Sequence, residues 1–234
     1  MKKIGNRNLK VGTAAGFTLV ELLVVISIIG LLATFTVASL DSIAKGRKLR
    51  TARGELVQIE SALENYKAKY GNYPPGNNGN YTAPVTGSML NQLYYELSGT
   101  TTSAGNFVTL DGLTQIPVAS VSTAFKVGGF VNCTKGNGED AATAKGFLPS
   151  LSSRQYFYPV TNNGVPTTIL ITSVGGPDDS YQPLQAVGVN PIRYQFPGVN
   201  NPGSYDLWVQ LVIKGKTNLV CNWSKAVQVN TPYP

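Results

Sequence analysis

Among the 24 residues from Phe17 to Leu40, Glu21 is the only charged side chain. A carboxylate in such surroundings has one clear use, which is to hold a cation where water is scarce. At the centre of a bilayer a charged side chain costs about 2.5–3.5 kcal/mol on insertion scales; Glu21, near the start of the run, falls below that. It calls for a partner. Other chemistries lack their residues. The chain has no His, so Ser-His-Asp and Cys-His arrangements are absent. No GxxxxGK[ST] or GxGxxG phosphate cradle follows a strand, the acids are scattered, and catalysis is not expected. Cys133 and Cys221 form no CxxC pair, and without His a four-ligand zinc site is not assembled. In an oxidising compartment one bridge is open to these two cysteines; the other reading is two buried thiols.

The elements that position Glu21 follow from composition and pattern. The 234 residues suffice for one membrane segment and one globular domain of about 160 residues. Charged residues are 13% of the chain, with 25 Gly and 14 Pro, which indicates a loop-rich head with β character. The formal charge is +7, but Lys2, Lys3, Arg7 and Lys10 all precede the apolar run. Without residues 1–16 the net falls to +3 over 218 residues, too little for a nucleic-acid-binding face. The run Phe17–Leu40 is long enough to span a bilayer, which takes about 20 apolar helical residues. No Pro occurs between Met1 and Tyr73, so the helix continues. Leu49, Ala52, Leu56, Ile59, Leu63, Tyr66 and Tyr70 alternate at spacings of 3 and 4, an amphipathic stripe read as a face packed on the domain rather than a coiled-coil seam. The helix from Phe17 to Tyr70 would be about 80 Å long at about 1.5 Å per residue, with bending expected at Gly30.

Small residues, Ala14-Ala15-Gly16, stand before the apolar run, whereas an ordinary secretory signal is cut after it. The basic leader, Gly16 and Phe17-Thr18-Leu19-Val20-Glu21-Leu22-Leu23 resemble the prepilin signature of type IV pilins and type II secretion pseudopilins. The resemblance implies that a membrane prepilin peptidase cuts after Gly16 and methylates the new amine of Phe17. Such an amine is protonated near neutral pH, its group titrating at about 7.7–8.0. In that family Glu21 would neutralise the amine of the neighbouring subunit; physics also allows pairing with the amine of its own chain, four residues back. Two further stretches carry the likeness. Tyr66 to Pro75, with Gly71 as helix cap, resembles the closure of the first helix in the major (G-type) pseudopilins. Asn190-Pro191, Tyr194, Pro202-Gly203, Tyr205-Asp206-Leu207-Trp208 and Asn222-Trp223 follow the order of their C-terminal region. There the family has an Asp-bearing calcium loop, but this chain has Lys214-Gly215-Lys216. Asp206 and Asn218 are the nearby side-chain candidates, Asp178-Asp179 reads as a solvated turn, and calcium is not expected. No other cofactor is expected.

The reading is an α+β, pilin-like chain: leader 1–16, transmembrane or filament-core helix 17–40, amphipathic half 41–73, and a head at 74–234 built on a small antiparallel sheet. Within the head, Met89–Ser98 reads as a helix, and Phe107–Leu110, Phe125–Val131, Arg154–Val160, Thr167–Val174, Ile192–Phe196, Tyr205–Ile213 and Leu219–Trp223 as strands. Asn80-Tyr81-Thr82 and Asn132-Cys133-Thr134 match the glycosylation pattern, read as chance. Lys45, Arg47, Lys48, Arg50 and Arg53 follow the apolar run, so charge alone leaves orientation undecided. The cluster is read as a headgroup-level anchor, with contacts to Glu60 and Glu64 of other subunits as the second reading. The resemblance implies a single-pass subunit of the bacterial inner membrane, with its head in the periplasm. Its partners would be its own copies in a helical filament, the prepilin peptidase, an inner-membrane assembly platform and minor pseudopilins or pilins. Three functions are open: a pseudopilus subunit of type II secretion, a pilin of a surface fibre, or a membrane-anchored binding protein that does not polymerise. The intact mass of the mature chain should show loss of residues 1–16 and gain of one methyl group; a chain beginning elsewhere would overturn the cut.

Overall fold

A computed structural model describes residues 16–77, 79, 81–82, 85–135, 142–148, 156–175 and 182–230, and within these the side chains of all but 35–41. Helix α1, Leu19–Tyr70, contributes to two compact units divided after Ala44. In the first unit, the described side chains from Phe17 to Thr34 are all exposed, and helix runs through Gly30 without interruption. Among the described residues no helix is long and apolar enough to cross a membrane. Described side chains of the apolar run stop at Thr34, 16 residues from the start of α1, short of the roughly 20 a span takes. The expected transmembrane segment 17–40 is therefore not shown by the structure.

In the second unit α1 is organised by its stripe. Ala52, Leu56, Ile59, Leu63 and Tyr66 are buried in one cluster with Leu207, Val209 and Leu211 of the C-terminal sheet, and Leu49 and Tyr70 flank it. The spacing of 3 and 4 thus packs on the chain's own head. Helix α1 stops at Gly71, whose φ of 82° is a left-handed conformation that an L side chain resists; its N–H donates to Lys67 O at 2.7 Å and closes the last turn. Tyr73 then turns back, donating to Glu64 Oε1 at 2.8 Å and packing edge-on against Tyr205.

The head is α+β. It holds helices α2 (Leu93–Ser98) and α3 (Val121–Phe125) and strands β1 (Thr100–Ser103), β2 (Asn106–Thr109), β3 (Gln115–Pro117), β4 (Cys133–Thr134), β5 (Phe157–Asn162), β6 (Val165–Leu170), β7 (Arg193–Gln195), β8 (Asp206–Ile213), β9 (Lys216–Cys221) and β10 (Ser224–Val229). Among the described residues there are two four-stranded sheets, ordered β3-β2-β1-β4 and β10-β9-β8-β7, and a β5-β6 hairpin. All pairings are antiparallel except β1 with β4. The tight hairpins use positive φ at both turn residues, Asn163-Gly164 between β5 and β6 and Lys214-Gly215 between β8 and β9. The outer strands are short or interrupted: β4 has two residues, β3 and β7 three, β5 carries Pro159, and β10 shifts register between Ser224 and Gln228.

Three expectations are corrected. Phe125–Val131 is not a strand: Val121–Phe125 is helical, and Lys126, at φ 60°, starts a turn through Gly128-Gly129. Helix is confined to Leu93–Ser98 within the expected 89–98, because Asn91 spends its side chain on the carbonyls of Ser88 and Ile192 and on the N–H of Leu93. The head carries two main sheets rather than one, and β10 was not anticipated. The start of the Arg154–Val160 strand and Asp178-Asp179 lie outside the described residues.

A buried carboxylate joins these layers. Glu96 of α2, fully buried, accepts from Tyr66 Oη of α1 at 2.9 Å, Val131 N–H at 3.0 Å and Asn132 N–H at 2.9 Å. Asn132 donates to Glu96 O and Lys145 O and accepts from Tyr70 Oη at 2.6 Å. Its amide is thus committed and buried, which removes it as a glycosylation acceptor; Asn80 lies outside the described residues. Burial raises the Glu96 pKa, against the opposing pull of its N–H and hydroxyl donors. With the folded value above the unfolded one, Glu96 contributes stability below the ordinary glutamate pKa of about 4.3 and loses it as pH rises through the raised value. Glu96→Gln should abolish that pH step. It should also destabilise the head by about 1–3 kcal/mol at acid pH, because an amide cannot accept from all three donors. Thermal unfolding of the full chain in detergent between about pH 4 and 8 reads both effects, and an unchanged pH slope would refute the assignment.

Candidate processing and assembly site

Residues Gly16 to Glu21 form the start of α1. Thr18 is the last residue before the helix, and its carbonyl accepts from Leu22 N–H at 3.2 Å. Glu21 reaches back, its Oε2 accepting from Thr18 N–H at 2.9 Å and from Thr18 Oγ1 at 2.7 Å, while Glu21 N–H lies 3.3 Å from Thr18 Oγ1. This is a capping box, a hydroxyl residue and a Glu three positions later satisfying each other's backbone donors. The signal stands in the sequence as Thr18-Leu19-Val20-Glu21 immediately before an apolar run, yet an argument centred on the charge of Glu21 passes over it.

The box changes what Glu21 can do. Both donors converge on Oε2, and Oε1 has no hydrogen bond among the described residues. The carboxylate is therefore held at the first turn with one oxygen available. In the uncut chain, where Phe17 N is a peptide nitrogen rather than an amine, it turns to Thr18. A cut between Gly16 and Phe17 would leave the Phe17–Thr18 peptide intact, and with it the N–H on which the box depends.

Phe17 is 75% exposed, open to an enzyme acting on its backbone. A Cβ built on Gly16 would meet nothing within 4 Å, so packing in the folded chain does not require glycine there.

The remaining expected site residues do not join this one. Cys133 and Cys221 are buried free thiols. Cys133 lies in β4 beside Thr102 Oγ1 at 3.7 Å, and Cys221 in β9 of the other sheet. The bridge is not formed, and burial raises the Cys221 pKa. Among the described residues no group of three or more metal-ligating side chains comes together. Asp206 accepts from the N–H groups of Val199, Asn200 and Asn201 and from Asn200 Nδ2, at 2.8–3.0 Å. Those four hydrogen bonds take up acceptor sites of its two oxygens. The carboxylate lies 2.7 Å from where a Cβ on Gly198 would stand, so only glycine fits there. Asn218 directs its amide to Leu211 O and Lys216 O. Arg53 leaves the basic cluster altogether: its guanidinium donates to the carbonyls of Cys221, Ser224 (2.9 Å) and Lys225 (3.2 Å), tying α1 to the β9–β10 turn.

The comparisons meet at this end of the chain. The family model "Prokaryotic N-terminal methylation motif" matches residues 13–37, a stretch that includes Gly16, Phe17 and Glu21. The chain is similar to type II secretion system core protein G of Escherichia coli (strain K12), 41% identical over 64 residues, which is 27% of this chain and 44% of that protein. It thus spans less than half the length of that relative. No solved structure matches. Thr18→Val should remove the hydroxyl half of the capping box and destabilise the first turn of α1 by about 1 kcal/mol, while Thr18→Ser retains it. Hydrogen exchange of the amides of residues 19–22 in micelles should quicken in the first variant only; equal protection in both would contradict the role given to the box.

Proposed function

We propose that this type IV pilin-like chain is a structural subunit of a type II secretion pseudopilus, held in the inner membrane until it is built into the fibre. The observation that carries the reading is the N-terminal one. A matched methylation motif leads into a helix whose apolar side chains from Leu19 to Leu32 are all exposed. So large an exposed apolar surface is not stable in water; lipid or the same surface of other copies must cover it. Before assembly, in this reading, lipid covers it. After the prepilin peptidase cuts behind Gly16, Phe17 gains a methylated cationic amine, and Glu21 Oε1 receives the amine of the adjacent copy. Burying each charge alone is unfavourable and burying the pair far less so, which makes packing in register the way to leave lipid. The head, with α1's stripe already sealed against it, coats the fibre.

A surface pilin is the second reading, favoured by Lys214 and Lys216 standing where the resemblance to the secretion family would place acids. Glu21→Ala should be cut and methylated normally yet fail to enter fibres; normal incorporation would end the amine-pairing reading. Deletion of the gene should abolish secretion of folded cargo, whereas intact secretion with loss of surface fibres would select the second reading.

A further inference from the structure

Within the head, a cavity of about 580 Å³ opens between the β5–β6 hairpin and residues 184–186. That volume lies within the range of ligand pockets, about 300–1,000 Å³. One side is β5 from Tyr158 to Thr161, with Asn163 of the hairpin turn. The other side is the turn that carries Gln185, and Tyr81 and the buried Leu90 complete the wall. Tyr81 is fixed in place: its hydroxyl accepts from Asn77 Nδ2 at 2.7 Å and reaches Asn162 Oδ1 at 3.1 Å and Ala124 O at 3.2 Å. Its ring and that of Tyr158 are half-buried against the apolar cluster of Leu90 and Ile169. Walls already set cost little further order when a ligand binds.

The polar groups at this cavity are, by contrast, unspent. Tyr158 Oη, Thr161 Oγ1 and the Gln185 carboxamide have no hydrogen bond among the described residues. Asn163 donates to Thr123 O at 3.2 Å and keeps its Oδ1 unengaged. Gln185 stands at φ 57°, in a turn where its N–H donates to Gln182 O at 3.0 Å. A long side chain resists that left-handed backbone, which glycine would adopt freely. Strain of this kind clusters at ligand sites.

The lining disfavours three classes of ligand. No residue of it is charged, so an anion, a cation or an acidic peptide finds no counter-ion. An acyl chain would bury Thr161 and Gln185 without partners, at a cost. A peptide extended along β5 meets Pro159 in mid-strand, where there is no N–H to pair. A neutral sugar meets none of these objections. Its C–H face packs on tyrosine rings, and its hydroxyls donate to and accept from carboxamides and hydroxyls alike.

We propose that this cavity binds neutral carbohydrate, with Tyr81 and Tyr158 as packing walls and Thr161, Asn163 and Gln185 as the hydrogen-bonding groups. The site is independent of the fibre reading above, and its failure would leave that reading untouched.

The test is saturation-transfer NMR of the full chain in micelles of a detergent without a sugar headgroup, with maltose, cellobiose, lactose and N,N′-diacetylchitobiose as probes. At least one probe should bind. Tyr158→Ala should weaken that binding by about tenfold through loss of the ring. Gln185→Gly should weaken it by about threefold to tenfold, the worth of one hydrogen bond. Because glycine suits the left-handed backbone, Gln185→Gly should leave the Tm of the head unchanged or higher, which separates lost binding from lost folding. Absence of binding by every probe would overturn the site, and so would binding that both variants leave unchanged. A Gln185→Gly chain that binds less and also melts lower would overturn it too, by making the effect one of packing.

Discussion

The head depends on a carboxyl group it has buried. Glu96 is fully buried, and its oxygens accept from one hydroxyl of α1 and two N–H groups of the segment after α3. Such a group tolerates little displacement, since losing a partner leaves a buried carboxylate short of donors. Tyr66 must therefore keep its azimuth on α1, and this fixes the face on which Leu56, Ile59 and Leu63 meet the C-terminal sheet. Glu55 does the same one stretch earlier, receiving Thr172 and Ser173. Two carboxylates on different elements, neither on the surface, set the rotation of the helix against its head.

Much of this architecture was legible in the residues, and the parts that were not share a cause. The stripe from Leu49 to Tyr70, the Gly71 stop and the hairpin at Lys214-Gly215 are local patterns, each decided within a few residues, and all three are present. Phe125–Val131 misled because its aromatic and β-branched residues suit a strand, while Gly128-Gly129 and the preceding helical turn decide otherwise. β10 was hidden because Ser224–Val229 is mostly polar or half-exposed, an edge strand defined by its pairing with β9 rather than by its own composition. The roles of Arg53, Glu55 and Glu96 are long-range, with partners 30 or more positions away in sequence, where no spacing rule reaches. At the candidate site the reverse holds. Gly16, Phe17 and Glu21 stand out in the sequence, and the structure adds which oxygen of Glu21 is occupied.

The two halves of α1 obey different rules. From residue 45 onward its apolar residues are matched by a covering sheet, and the polar ones that are buried have found partners. Before residue 34 the described apolar side chains are all exposed. A sequence under selection for solubility as a monomer would not leave that surface bare. The exposed part is best understood as an interface whose complement lies elsewhere, first lipid and then other copies in the reading proposed here.

The blunted sheet edges take on meaning in that setting. A fibre holds many identical heads side by side at very high local concentration, conditions under which any long, flat outer strand would recruit its counterpart on the next molecule. Here each four-stranded sheet ends in a strand of three residues or fewer or in a strand with a register shift, and β5 of the hairpin carries Pro159, which has no N–H to offer a neighbour. Copies can be crowded together without fusing through their backbones. On the reading proposed above, growth would be left to side chains of the N-terminal helix rather than to backbone pairing between heads.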